Sequence, residues 1–162
     1  MKYLSALFLF GTLSLAGIVM AHADKPVTKA AVLNAIAVFQ KDPSSKEGFA
    51  AGATILAFAK SSGTIHLSLS KAVAPWVKGP DESDADTREI LLNAYLVGNV
   101  QSQLKSGHPQ DDVYAGWEQV LNTYAQLLRI NSAAKIAEVE VLKKKEADGE
   151  LQSYANEVAG QR

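Results

Sequence analysis

Two histidines, His66 and His108, are the strongest metal-ligand and general-base candidates beyond the first 23 residues. His66 has no carboxylate or second histidine three or four residues away, the spacing that sets two ligands on one helix face; His108 has Asp111 and Asp112 at that spacing, but in a turn rather than on a helix. A zinc site draws on three or four assembled ligands, and no Glu-x-x-His occurs, as a ferritin-like di-iron bundle requires. His108 lies in a Gly-His-Pro turn close to Asp111 and Asp112. His66 sits among alternating polar residues and reads as solvent-facing. The acidic group Asp81, Glu82, Asp84 and Asp86 suggests calcium, which takes several carboxylate oxygens. It fails the EF-hand pattern, because no glycine occupies the turn position and no glutamate closes the loop. It reads instead as a solvated linker whose charges favour the start of the following helix.

Nucleophile motifs are equally sparse. Ser68 stands three residues before Lys71, formally Ser-x-x-Lys, yet the companion motifs of that enzyme class are missing, as is the Gly-x-Ser-x-Gly elbow. Cysteine is absent altogether. Thiol nucleophiles, thiolate zinc sites, iron–sulfur clusters and covalent c-type haem are therefore excluded. Carboxylate-only hydrolysis needs just two acids, and no spacing singles out a pair. No cofactor is expected. Four large aromatic residues remain as interaction candidates: Trp76, Tyr95, Trp117 and Tyr124. Tryptophan and tyrosine make strong interface anchors, although aromatics at helical spacing usually face a core. Trp76 follows Pro75 at the edge of a linker, so it is the one expected to be partly exposed.

The elements that would position these residues read as helices. Thr28 caps a first helix to about Gln40, with Val32, Leu33, Ile36 and Phe39 at helical spacing and Asp42-Pro43 as the stop. Ser44 and Glu47 form a capping-box pattern before a second helix to about Lys60, with Phe49, Ala53, Leu56 and Ala59 inward. Gly52 and Ala53 there would admit a neighbouring helix closely. Residues 64–74 are ambiguous. Ile65, Leu67 and Leu69 alternate with polar residues as in a strand, yet Ile65, Leu69, Ala72, Val73 and Trp76 also fit one helix face. Helix is favoured, because a lone strand would have nothing to pair with.

A linker is expected near 78–87, then a helix from Ser83 or Asp84 to about Lys105. Leu92, Tyr95, Leu96, Val100 and Leu104 line one face of it, and Ile90, Leu91 and Val97 lie outside that face, which marks a central helix. The next runs from about Asp111 to Arg129, with Val113, Trp117, Val120, Leu121, Tyr124 and Leu128 in one stripe. Asn131-Ser132 should cap a last helix, interrupted at Asp148-Gly149 and resuming through Leu151, Tyr154, Ala155 and Val158. Leu92-Asn93-Ala94-Tyr95 and Leu121-Asn122-Thr123-Tyr124 echo each other at a spacing of 29 residues. Stacked helical hairpins repeat at such periods, but the match is short.

The fold expected is all-α: a compact bundle or short stack of about six amphipathic helices in hairpins, with a repeat-like stack as an alternative. Residues 24–162 would form it as one domain, the charge-rich 132–158 region packing least firmly. Before it, Lys2, the uncharged stretch Leu4–Met20 and Ala21-His22-Ala23 read as a signal peptide cleaved before Asp24. The chain is thus expected to be exported, periplasmic or secreted, with no stable membrane insertion after cleavage. Sixteen Lys and Arg against 17 Asp and Glu give no basic face for nucleic acid. The function this leaves is a non-enzymatic protein-interaction module, an accessory subunit, chaperone or inhibitor, whose partner is another exported protein. The alternative is a binding protein for a small apolar or amphipathic ligand held between helices. A small carboxylate-dependent hydrolase comes third.

Overall fold

The computed structural model describes residues 26–79 and 84–161. The expected signal peptide, residues 1–23, and residues 80–83 of the expected linker lie outside the described residues, so Asp81 and Glu82 do too. The described chain is all-helical, with six α-helices, a short 3-10 turn and no strand. They are α1 (Lys29–Lys41), α2 (Lys46–Ser61), α3 (Ala85–Ser106), α4 (Val113–Ile130), α5 (Ala137–Ala147) and α6 (Leu151–Gly160); Pro75–Val77 makes the 3-10 turn. Consecutive helices pair as three hairpins. The α3–α4 hairpin is central: α1 and α2 pack on α3, while α5 and α6 pack on α4.

Local chemistry sets the boundaries. The Thr28 hydroxyl accepts the Ala31 amide at 3.2 Å, satisfying one donor that a helix start leaves orphaned. Ser45, not Ser44, caps α2, accepting the Gly48 amide at 3.0 Å; Ser44 instead bonds Asp42. Asp112 caps α4 through the Ala115 amide at 3.0 Å. Gly107 ends α3 at φ +70°, a left-handed conformation that a Cβ would strain.

Burial follows the stripes with two corrections. On α2 the inward residues are Gly48, Ala51, Gly52, Ile55 and Phe58, while Ala53 is exposed. Gly52 does admit a close neighbour: a Cβ there would stand 2.6 Å from the Asn93 side chain. The last helix begins at Ala137, because Asn131 closes a turn by accepting the Ala133 amide. The C-terminal hairpin nonetheless packs, with Val139, Leu142, Leu151, Ala155 and Val158 buried. The central helix α3 buries Ile90, Leu91, Val97 and Val100 as expected. Each fully buried side chain of this size contributes about 1.5–3 kcal/mol. The α3–α4 contact is closest at two glycines. A Cβ on Gly98 would lie 2.2 Å from the Ala115 carbonyl oxygen, and one on Gly116 would lie 2.4 Å from the Tyr95 ring.

Residues 65–70 are neither helix nor strand: no helix, turn or bend interrupts them. The favoured helix is absent because side chains of α3 and of the α3–α4 turn bond this backbone instead. Gln103 Oε1 accepts the His66 amide at 2.9 Å, and Gln103 Nε2 donates to the His66 carbonyl at 2.7 Å. Asp111 Oδ2 accepts the Ser68 amide at 3.2 Å. A lone strand lacks a partner strand, and here a glutamine and an aspartate take that part.

Candidate functional site

The four aromatic candidates converge on the core rather than on a surface. Trp76, Tyr95 and Trp117 are fully buried and Tyr124 nearly so. Partial exposure of Trp76 is thereby corrected. The 3-10 turn folds its indole inward, and the Arg88 guanidinium donates to its carbonyl at 2.6 Å. Trp117 Nε1 donates to the Val73 carbonyl at 2.7 Å, and its ring stacks on Tyr154 with centroids 5.2 Å apart. Tyr124 accepts the Ile136 amide at 2.9 Å and donates to Glu140 at 2.8 Å. Burial, first, and the Glu140 carboxylate push its phenol up to about 12, against the opposing effect of the Ile136 bond. These side chains fasten α4 to the segments around it.

The histidines and acids meet partly as their spacing suggested. His108, Asp111 and Asp112 line a cleft of about 280 Å³ with Ser102, Ser106, Tyr114, Gln152 and Asn156. Its carboxylates are committed to holding the fold. Asp111 Oδ1 accepts from Tyr95 Oη and from Asn99 Nδ2. Asp112 accepts from Ser102 at 2.5 Å while capping α4. Ser106 accepts the backbone amide of His108, so this contact leaves the imidazole out. The neighbouring Glu118 carboxylate raises the Tyr114 phenol above its usual range. His66 is exposed and stands apart from this group. Among the described residues no three His, Asp or Glu side chains are arranged to hold a metal ion, and no helix is long and apolar enough to cross a membrane.

A different surface draws the eye to residues 69–79. Leu69 is 50% exposed and Val77 41%. With Ala74, Pro75 and Leu92 they line a groove of about 290 Å³ whose polar members are Ser70, Lys71 and Lys78. A second hollow adjoins it, sharing Val77, Lys78 and Leu92 and adding Gly79, Ala85, Arg88 and Glu89. Exposed large apolar side chains gathered in one concavity differ from single surface leucines, which are ordinary.

The sequence reading missed this groove and the buried amide pair behind it. Asn99 and Gln103 are both buried and bond each other at 2.6 Å. Their signal was present: two amides four residues apart on a helix apolar on nearly every side, opposite a segment with strand-like alternation. No protein-family model, no curated protein and no solved structure matches the chain.

Proposed function

We propose that this chain is an exported, non-enzymatic helical module that binds another exported protein, and that the Leu69–Val77–Leu92 groove is its docking face. The groove carries the reading: it gathers exposed apolar surface where a buried one would be stabilising, and lysines stand at its rim. The N-terminal signal-like pattern supports the compartment. Trp76, Tyr95, Trp117 and Tyr124, all buried in the core, then serve as scaffold rather than as contact residues.

The test is photocrosslinking in the exporting cell, with a benzophenone side chain at position 69 or 77 and a control at Val141, an exposed residue on α5. Crosslinks to one defined protein from 69 and 77 but not from 141, with the crosslink from 69 lost in Val77→Asp and that from 77 lost in Leu69→Asp, are the expected result. Absence of any crosslinked protein from all three positions would end the interaction reading.

One observation favours a second reading. Lysines beside an apolar groove also suit an anionic amphiphile, although a volume of about 290 Å³ sits at the lower limit of roughly 300–1,000 Å³ for ligand pockets. Native mass analysis of the exported protein separates the two. A bare chain beginning at Asp24 fits the module, and an added small mass fits the ligand binder.

A further inference from the structure

We infer that residues 65–70 form a receptor edge for an extended peptide of the partner protein, which joins as a strand and places apolar side chains in the groove and a carboxylate beside Lys71. This rests on the interaction reading above and adds a mode and a partner chemistry to it. The His66 and Ser68 amides both bond inward, to Gln103 and Asp111. In an extended chain, amides two residues apart share an edge and the residue between them faces the other way. Leu67, half-buried against the core, and the exposed Leu69 therefore set their N–H and C=O groups on the other edge, where neither has a hydrogen-bond partner among the described residues. On one edge the His66 N–H and C=O and the Ser68 N–H are held by side chains, and on the opposite edge no such bond is made. An open edge is the template that strand addition uses, with main-chain bonds giving affinity and flanking pockets giving specificity.

The groove supplies the pockets. It begins at Leu69, where the edge ends, and continues through Ala74, Pro75, Val77 and Leu92. Side chains of an added strand pointing to that face would cover the exposed parts of Leu69 and Val77. Charge sets the polarity of the partner. Lys71 and Lys78 are exposed and neither forms an ion pair among the described residues. Glu89 lines the adjoining hollow beside Lys78, so the partner's carboxylate is best placed at the Lys71 end.

The probe is a synthetic seven-residue peptide of alternating valine and threonine with a glutamate at each end, titrated into the full exported protein and followed by amide shifts. Expected are saturable shifts at Leu67 and Leu69, binding weaker by about tenfold or more when alternate peptide nitrogens are methylated, and a loss of about threefold in Lys71→Glu. Leu69→Pro should melt like the unaltered protein, because the N–H it deletes bonds nothing in the fold, and should abolish binding. Should that variant misfold, the methylated peptide still tests the edge on the unaltered chain. Equal binding of methylated and plain peptides would overturn strand addition. So would no binding at about 1 mM peptide, or shifts confined to the His108 cleft. Crosslinks from position 69 or 77 under any of those outcomes would preserve the interaction reading while this mode fell.

Discussion

At Tyr124 a single hydroxyl makes two bonds: it accepts the amide of Ile136, the residue just before α5, and donates to Glu140 one turn further on. Tyr124→Phe leaves the Ile136 amide buried and unpaired, so it should cost about 1–3 kcal/mol in urea unfolding at neutral pH. The hydroxyl also makes stability sensitive to alkali. An unfolded tyrosine ionises near 10, whereas the folded phenol is pushed up to about 12. Between those values the unfolded chain binds fewer protons than the folded one, so stability falls as pH rises. The contribution is whole below pH 10 and is lost through pH 12; the slope should flatten in Tyr124→Phe compared with the unaltered protein. Trp76 belongs to the same scale. Its indole is fully buried, so Trp76→Ala should lower unfolding free energy by about 3–5 kcal/mol, and an unshifted melting temperature would contradict its placement in the core.

Among the elements, segment 65–70 depends most on its neighbours. Gln103 supplies both a donor and an acceptor to His66. Gln103→Leu should therefore accelerate hydrogen exchange at the His66 amide, at a cost of about 2 kcal/mol, with helices α1 and α6 keeping their protection. Periodicity was enough to place five of the six helices approximately, since apolar spacing and capping residues act within a few positions of one another. Thr28, Asp42-Pro43 and Gly107 are cases where the local signal and the boundary agree. It failed where the deciding partner lies far along the chain. The conformation of 65–70 is set by Gln103, 37 residues from His66, and the inward fold of Trp76 by Arg88 on α3. The groove was hidden for the same reason: Leu69, Val77 and Leu92 become one surface only when the segment crosses α3. The α5 start shifted because the Asn131 turn comes first and the hydroxyl of Tyr124, on another helix, then takes the Ile136 amide.

Taken whole, the described chain is three hairpins with the buried α3–α4 pair between two outer ones. No cysteine is present to staple it, so its stability comes from packing and hydrogen bonds. A chain of this size normally unfolds in one step. Trp117 reports on three parts at once, since it sits on α4, bonds Val73 and stacks on Tyr154 of α6. Tryptophan fluorescence and far-ultraviolet circular dichroism should therefore give coincident urea transitions. An earlier fluorescence transition would mean that the α5–α6 hairpin detaches separately, a looser assembly than the shared core implies.

The anchoring of the 65–77 segment also imposes an order in time. Its fastenings, Gln103, Asp111 and Trp117, all come later in the chain, 37 to 44 residues beyond the backbone groups they hold. Loops of that length close late, because their entropy must be spent before the contacts repay it. A chain emerging N-terminus first thus displays α1 and α2 before it can shape the groove. The face matures only when the central hairpin is complete, so an unfinished molecule cannot present it.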